Sequence, residues 1–325
     1  MFRMKRLTRI CTAAIVAALV FAAFPSNAKS WPQRSVRMIV PVPPGSSPDV
    51  AARVFAERLG TRWGKSIVVE NRPGADGLIG TSAFVAAQDD HVLLFSFAAP
   101  LTVYPAIQEK LKYDPVRDVL PISVVVETFG TIAVPATLPV TTLPELVTYA
   151  RTRPGRLNWA TGGGAFPILM AGFVKSAALE MAQVPYTNQN LALQDLAEGR
   201  IQVFATAMTP LLSLVQAGKV RVLAVTNKNR SPLWPGIPTV TQSGYPGIAF
   251  EGLIGLFAPR GTPDDRRTRI ADDIRAIAAD HGVAKRLGAV GQIVRVSTPA
   301  EFTAAIEEQR RNITAIIQIV GNPPQ

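Results

Sequence analysis

Residues 41–49 constrain the fold more than any other part of this sequence, because they join a buried strand to a helix through a short turn. The residues before them, 36–40, are apolar and typical of a buried strand. The residues after them place apolar side chains at helical spacing, and Gly60 is predicted to end that helix. Ser47 is the predicted N-cap, and Pro48 takes the first helical position, where its missing N–H costs nothing.

This order of strand, Gly/Ser turn and helix N-terminus creates a local preference for anions. The first amides of a helix lack partners within it, and the positive end of the helix dipole lies at the same place. A carboxylate suits such a position. The alternative is that the turn is simply the first strand-to-helix connection of an α/β domain. These residues alone leave both interpretations open.

The same local order returns further along the chain. Residues 157–160 form a predicted strand, residues 161–164 a glycine turn, and residues 168–178 an apolar helix. Two strand–turn–helix elements on two α/β halves indicate a cleft between two lobes, since ligands of open α/β sheets gather at the carboxyl ends of strands.

Strands and helices alternate along the rest of the chain, which favours a layered α/β architecture. Thr142 with Glu145, and Thr298 with Glu301, are predicted capping boxes that begin two helices. The other predicted elements occupy residues 66–70, 78–87, 92–97, 122–126, 131–134, 191–198, 201–205, 210–217, 221–226, 252–258 and 262–280, with a Pro/Gly-rich linker at 230–247.

The N-terminus has the pattern of a secretory signal peptide. Four basic residues precede an apolar stretch, 10–24, of about 15 residues, which is short for a membrane span of about 20. Small residues at 26–28 predict cleavage near Ala28, so that the mature chain begins at Lys29. The alternative is an uncleaved N-terminal anchor.

The only cysteine, Cys11, falls inside this predicted signal peptide. The mature chain would therefore have no disulfide, no Cys-based metal site and no thiol nucleophile. An exported chain without disulfides or a lipid anchor indicates a bacterial periplasmic protein. Cleavage takes the net charge from +11 to +7, and the remaining basic residues are scattered, which argues against nucleic-acid binding.

The chain has 325 residues, which is enough for two domains, and its 48% hydrophobic content is that of a globular protein. No complete motif for catalysis or cofactor binding is found in the sequence. Residues 63–66 lack the upstream glycine of a phosphate loop, and the glycines within 74–80 have the wrong spacing for a dinucleotide loop. His91 and His281 lie in no metal-ligand pattern, and no G-x-S-x-G elbow supports a serine hydrolase. We therefore predict no metal, no cofactor and no catalytic residue, and a protein that is not an enzyme.

Nearly the whole mature chain resembles the Bug-type solute-binding proteins of tripartite tricarboxylate transporters. The matching residues are 31–32, 36–41, 43–45 with Asp49, 68–75 with Gly77 and 79–80, 113–118, 185–186, 217–219, 223–226, 230–232 with 238–240, 258–259 and 261–263. The resemblance implies a type II-like, two-lobed periplasmic binding protein of the α/β class, each lobe a mixed sheet flanked by helices. Lobe one would comprise residues 31–125 and 252–325 and lobe two residues 126–251, closing on the ligand like a flytrap.

The resemblance also implies where a carboxylate ligand would bind, often through ordered waters. The ligand loops of the family match residues 43–49 and 160–168. The predicted ligand-binding residues are Pro44, Gly45, Ser46, Ser47, Asp49, Phe97, Ala98, Thr161, Gly163, Gly164, Ala165, Phe166 and Thr206. Serine hydroxyls and amides near Gly45 and Gly163 would hold the carboxylate, and Phe97 and Phe166 would face the ligand body. Asp49 would either accept a hydrogen bond from the ligand or a bridging water, or act as a capping charge.

Several positions depart from the family pattern towards lower polarity. Ser46 stands where the family usually has the second of two glycines. Residues 97–99 are mostly apolar where the family is usually small and polar, and residues 165–169 are apolar where the family is usually rich in serine. Thr206 replaces a commonly acidic residue, and Thr187-Asn188 replace a common Lys-Gly pair. We therefore expect a carboxylate with an apolar or aromatic body. The alternative is an orphan paralogue whose specificity has drifted.

The predicted function is the capture of a small carboxylate in the periplasm by a monomeric protein, and its delivery to the membrane permease subunits of the transporter. No nucleic-acid partner is expected. An alternative from another class is a sensor component that presents the same ligand to a receptor kinase. A hydrolytic enzyme is disfavoured by the missing nucleophile elbow.

Overall fold

The computed structural model describes residues 31–108 and 110–321. The predicted signal peptide, its cleavage site near Ala28 and the mature start at Lys29 lie outside the described residues. Every helix and strand described here belongs to the compact unit that begins at Ser35. Within the described ranges, no helix combines the length and apolarity needed to cross a membrane.

The described residues contain eleven strands and eleven α-helices. The strands are β1 Val36–Val40, β2 Ile67–Asn71, β3 Val92–Phe97, β4 Val119–Thr128, β5 Gly130–Pro135, β6 Leu157–Thr161, β7 Met181–Gln183, β8 Val203–Ala207, β9 Val220–Val225, β10 Gly252–Pro259 and β11 Ile293–Val294. The helices are α1 Ser47–Trp63, α2 Leu78–Ala87, α3 Ala99–Thr102, α4 Tyr104–Ile107, α5 Leu143–Arg151, α6 Phe166–Ser176, α7 Gln189–Ala197, α8 Leu212–Gln216, α9 Asp264–Ala278, α10 His281–Gly288 and α11 Pro299–Val320.

Two mixed sheets organise these elements. The first has the strand order β11-β4-β10-β3-β1-β2, and the second has the order β7-β6-β8-β5-β9. In the first sheet β1 pairs in parallel with β2 and β3, and in the second β6 pairs in parallel with β7 and β8. The remaining pairs are antiparallel. The predicted α/β class with two mixed sheets flanked by helices is confirmed.

Each sheet has its own hydrophobic core, as two lobes require. The first core includes Phe84 from α2, Phe257 from β10 and Phe302 from α11. The second includes Trp159 from β6 and Phe173 from α6. Because β1, β2 and β3 run in parallel, the segments that follow them emerge at one edge of the first sheet.

The chain passes between the sheets at two adjacent points. Only Phe129 separates β4 from β5, and residues 226–251 lead back from β9 to β10. Gly252 at the start of β10 pairs with Thr128 at the end of β4, whose hydroxyl donates to the Gly252 carbonyl at 3.3 Å. A Cβ at residue 252 would lie 2.5 Å from the Thr128 carbonyl oxygen, so this close approach of two backbones requires glycine.

Helix α1 corrects two sequence predictions. Ser46, not Ser47, is the N-cap, and its side chain makes no capping hydrogen bond. The predicted end at Gly60 is wrong, because the helix continues to Trp63 and ends at Gly64 in the left-handed region, with φ of 63°. Gly60 lies inside the helix, where a Cβ would be 3.1 Å from the Lys65 carbonyl oxygen. Gly60 therefore allows the backbone at Lys65 to pack closely against the helix, and it does not end the helix.

The two predicted capping boxes form to different extents. Thr298 and Glu301 exchange both hydrogen bonds at the start of α11. At the start of α5 the Thr142 hydroxyl accepts from the Glu145 amide at 3.2 Å, but the Glu145 carboxylate accepts from the amide and hydroxyl of Thr141 instead. The first box is confirmed, and the second contributes only its N-cap bond.

Candidate functional site

The turn after β1 is held in shape by the buried carboxylate of Asp49. Its Oδ2 accepts from the Gly45 amide at 2.8 Å and from Arg53 Nε at 2.9 Å, and its Oδ1 accepts from Asn71 Nδ2 at 2.8 Å. Burial raises the pKa of Asp49, but the hydrogen bonds from Arg53, Asn71 and Gly45 outweigh it and hold the pKa below its ordinary value. Asp49 is therefore an ionised carboxylate that fixes the turn.

Asn71 links this turn to the one that follows β2. Its side-chain amide donates to the Val42 carbonyl at 3.0 Å as well as to Asp49, and its Oδ1 accepts from Arg53 Nη2 at 3.0 Å. In helix α2 a Cβ at Gly80 would lie 2.6 Å from Pro41 Cβ, so α2 packs directly on the first turn. Hydrogen bonds and close packing therefore connect the segments after β1 and β2.

The serines of the first turn have different surroundings. The Ser46 hydroxyl donates to the Pro43 carbonyl at 2.7 Å. The Ser47 hydroxyl oxygen is buried and has no hydrogen-bond partner within the described part of the chain. Pro44 and Gly45 are exposed, and Gly45 has a φ of 79°. A buried hydroxyl without a hydrogen-bond partner is costly. Of the two predicted serines, Ser47 is therefore the one whose hydroxyl would gain from a hydrogen bond to a ligand.

The second predicted turn begins at Thr161, where β6 ends in the other sheet. The Gly162 amide donates to the Ala205 carbonyl at 2.9 Å, which fixes the turn on β8. Gly163 is exposed, Gly164 has a φ of 77°, and α6 follows from Phe166. The structure thus repeats the order of strand, glycine turn and helix that the sequence predicts.

Asp76, in the turn after β2, contacts the second turn from the other lobe, and it was not among the site residues predicted from the sequence. Its Oδ2 accepts from the Tyr104 hydroxyl at 2.7 Å and from the Gly164 amide at 3.3 Å. A Cβ at Gly163 would lie 2.6 Å from Asp76 Oδ1, so only glycine fits beside this carboxylate. Burial, together with the adjacent Asp76 carboxylate, raises the pKa of Tyr104, which keeps its hydroxyl a donor.

Apolar residues of both lobes pack in one cluster beside these turns. It contains Ala99, Val103, Tyr104, Ala165, Ile168, Leu169, Ile313 and Ile316, with Phe97 and Phe166 partly buried at its edge. Helix α6 approaches α11 so closely that a Cβ at Gly172 would lie 2.6 Å from Ile316 Cγ2. Much of the apolar run 165–169 is therefore explained by packing between the lobes.

Thr206 lies beneath the second turn, and Ala98 is buried after β3. Thr206 is 3% exposed, and its hydroxyl accepts from Gln189 Nε2 at 3.1 Å and lies against Gly162. Ala98 is buried at the carboxyl end of β3. Thr206 therefore supports the second turn from below, whereas Pro44, Gly45 and Gly163 are exposed.

The connections between the lobes carry a second polar network. Asn227, fully buried, donates to Glu127 Oε1 at 2.7 Å and to the Thr128 carbonyl at 3.0 Å, and its Oδ1 accepts from the Gly130 amide at 3.3 Å. Arg295 binds Glu127 and Glu251 at 3.2 and 2.9 Å. Burial lowers the pKa of Arg295, but the two carboxylates outweigh it and raise the pKa.

A separate acidic group lies at the other end of the first sheet. Asp89, Asp90 and His91 precede β3 and bring their potential ligand atoms within 4.8 Å of one another. His91 Nδ1 lies 2.6 Å from Asp90 Oδ1, and Arg266 Nη1 donates to Asp90 Oδ2 at 2.9 Å. A hydrogen-bonded imidazole and a guanidinium already compensate Asp90, so this group is explained as an ion-pair network.

The family sequence model described as "Tripartite tricarboxylate transporter family receptor" matches residues 51–321. The chain belongs to the tripartite tricarboxylate transporter receptor family. The match begins in the second turn of α1 and extends through the whole of α11. The resemblance found in the sequence is thereby confirmed.

Curated relatives and solved structures agree with this family membership. BugT of Bordetella pertussis is 29% identical over 303 residues, which cover 92% of this chain and 93% of that protein. The periplasmic binding protein BugD is 28% identical with a TM-score of 0.75, covering 91% of this chain and 100% of that one. An R. palustris protein solved with adipate is 28% identical with a TM-score of 0.78, covering 90% and 99%. The two-lobed periplasmic binding protein fold is confirmed for this member of the receptor family.

Proposed function

We propose that this receptor-family protein captures a small carboxylate in the periplasm and delivers it to the permease subunits of a tripartite tricarboxylate transporter. Family membership supports the transport role, and the relative solved with adipate supports the ligand class. Export through a signal peptide cleaved near Ala28, and action as a monomer, are parts of the same proposal.

The observation that supports carboxylate binding best is the contact between Asp76 and the second turn. A carboxylate of the chain itself already accepts a hydrogen bond from the Gly164 amide, at the N-terminus of α6. The same kind of amide and helix end occurs in the first turn, where the buried Ser47 hydroxyl has no protein partner in the described ranges. The second turn thus presents an amide that suits a carboxylate oxygen and is occupied by Asp76, whereas the donors of the first turn remain for a ligand.

The proposed roles follow these local contacts. The Ser47 hydroxyl and the amides at the start of α1 hold the ligand carboxylate, with Ser46 and Pro44 at the edge, and the glycine turn at Gly163 bounds the ligand on the opposite side. The Gly45 amide is engaged by Asp49, so Gly45 acts by shaping the turn. Phe97 and Phe166 contact the ligand body. The remaining predicted site residues line the cleft or support the turns from below: Ala98, Thr161, Gly164, Ala165 and Thr206.

We also propose lobes comprising residues 31–125 with 252–325, and residues 126–251. The first boundary lies within β4 and the second immediately before β10, which places both next to the contact between Thr128 and Gly252. A ligand that touches both turns would favour the closed arrangement of the lobes by its higher affinity for that arrangement.

A thermal-shift screen tests the ligand class. The purified mature protein is heated with a panel of mono- and dicarboxylates, neutral amino acids and sugars, since a ligand that binds only the native state raises the melting temperature. We expect at least one carboxylate to stabilise the protein. Stabilisation by sugars or amino acids but by no simple carboxylate contradicts the proposal.

A further inference from the structure

Asp76 lies in a turn with an unusual backbone. Gly74, Ala75, Asp76 and Gly77 have φ values of 124°, 44°, 45° and 90°. Two of these residues carry side chains, and alanine in particular is rare in the left-handed region. Such strain persists only where the surroundings fix the conformation. Here the conformation directs the Asp76 carboxylate towards the opposite lobe, where the Gly164 amide donates to it.

Groups from both lobes hold this carboxylate in place. The Tyr104 hydroxyl, on α4 of the first lobe, donates to Oδ2 at 2.7 Å, and Tyr104 is only 8% exposed. The Gly164 amide donates from the second lobe at 3.3 Å, and Gly163 leaves room for Oδ1 because it lacks a Cβ. The position of Asp76 is thus defined by three groups that no sequence pattern links.

The charge of Asp76 is not paired with a cation. Among the described residues, no Lys or Arg nitrogen forms a salt bridge with Asp76, and the neighbouring Arg72 binds Glu70. The surrounding side chains of the cluster between the lobes are apolar or aromatic, including Leu78, Phe97 and Phe166. A second anionic group of a bound ligand would therefore meet a like charge without a compensating cation.

We propose, on the basis of the carboxylate-binding function above, that Asp76 is a specificity residue that restricts the ligand to a single carboxylate. Its own carboxylate occupies the donor of the second turn that a second ligand carboxylate would need. The ligand carboxylate binds at the first turn, and the opposite end of the ligand is uncharged or carries a hydrogen-bond donor. The cleft thereby discriminates against dicarboxylates by electrostatic repulsion as well as by competition for the same amide.

Three pairs of acids with equal carbon number test this: butanoate with succinate, hexanoate with adipate, and octanoate with suberate. Affinities are measured by calorimetric titration for the wild type, for Asp76→Asn, and for Glu180→Gln as a control with the same change in charge at an exposed position. Asparagine keeps the shape of aspartate and tolerates the left-handed region, so the variant retains the turn. Circular dichroism and a thermal melt confirm that each variant is folded.

In the wild type we expect the best-bound monoacid to bind at least about ten-fold more tightly than its diacid, equivalent to about 1.4 kcal/mol. Asp76→Asn should reduce this preference at least about five-fold, while Glu180→Gln leaves it unchanged. A wild type that binds the diacid as tightly as the monoacid overturns the inference, and so does an Asp76→Asn variant with an unchanged preference. Binding of none of the six acids by any of the proteins overturns the proposed function together with the inference.

Discussion

The carboxylate of Asp49 and the amide of Gly45 form a 2.8 Å hydrogen bond that closes the first turn onto helix α1. The same carboxylate binds Arg53 and Asn71, and its side chain is 2% exposed. The buried negative charge of Asp49 therefore stabilises the shape of the turn. It leaves the Ser47 hydroxyl and the neighbouring helix amides as the donors that remain for a ligand.

Replacing Asp49 should therefore reduce stability as well as binding. Asp49→Ala leaves the Gly45 amide and the Asn71 side chain without their acceptor, and we expect a loss of about 2–3 kcal/mol in the free energy of unfolding. Urea denaturation measures it. Glu57→Gln on the same helix is the control, since its contact with Arg286 is exposed and such pairs contribute little. Equal stability of Asp49→Ala and the wild type would show that the network is not structural.

The Asp49 network also predicts a pH dependence. Because the pKa of Asp49 is lower in the folded protein than in the unfolded chain, its contribution is fully present above the unfolded pKa of about 3.9 and is lost as pH falls through the folded pKa. The stability difference between wild type and Asp49→Asn should be constant from about pH 7 to 5 and shrink below about pH 4. A difference that grows on acidification contradicts the assigned direction.

Ser47 and Ser46 offer a matched pair for the binding site. The Ser47 hydroxyl has no protein partner in the described ranges, so Ser47→Ala should not lower stability but should weaken carboxylate binding about five- to ten-fold, the worth of about one hydrogen bond. Ser46→Ala removes the bond to the Pro43 carbonyl and should affect ligand affinity less. Paired melts and titrations separate the effects. Destabilisation by Ser47→Ala without loss of affinity would assign the hydroxyl to the fold.

The elements around the first turn could be predicted because their signals are local. Helix α2 and strand β3 have the predicted bounds, Leu78–Ala87 and Val92–Phe97. Strand β11 was missed because its two residues, Ile293 and Val294, are ordered by pairing with β4, far away in the sequence. Helix α10 was missed as well, although Asp280 is its N-cap and accepts from the Gly282 amide.

The site was predicted only as far as its two turns. Asp76 was not among the predicted site residues, because its partner Gly164 lies 88 residues away and no local pattern indicates that contact. The apolar residues Ile168 and Leu169 were interpreted as pocket lining, whereas the structure buries them in the cluster with Ile316 of α11. Both differences arise from packing between the lobes, which periodicity cannot show.

Asn227 is expected to stabilise the connection between the lobes. It is fully buried and makes hydrogen bonds to Glu127, Thr128 and Gly130. Asn227→Ala should cost about 2 kcal/mol in unfolding free energy, and Asn227→Asp should cost more because it places a second carboxylate beside Glu127. Denaturant titration checks both, with exposed Asn190→Ala as the control. Equal effects of the alanine and aspartate variants would argue against the contact with Glu127.

Alanine substitutions at Gly252 and Gly236 test the close contact between the backbones of β4 and β10. A Cβ at residue 252 would lie 2.5 Å from the Thr128 carbonyl oxygen, whereas a Cβ at residue 236 would meet nothing within 4 Å. Gly252→Ala should lower the free energy of unfolding by about 1–3 kcal/mol, because backbone must move to admit the methyl group. Gly236→Ala should be nearly neutral. Thermal and urea melts of both variants suffice, and a neutral Gly252→Ala would contradict the described contact.

The central claim is that the cleft recognises a carboxylate, and comparing an acid with its amide tests it most directly. The acid that stabilises the wild type most in the thermal-shift screen is titrated calorimetrically beside its carboxamide of the same carbon skeleton. The two differ in the charged group but hardly in shape. Because charge-assisted hydrogen bonds would be lost, we predict that the carboxamide binds at least about ten-fold more weakly. Equal affinities for the acid and the amide would contradict recognition of a carboxylate by this cleft.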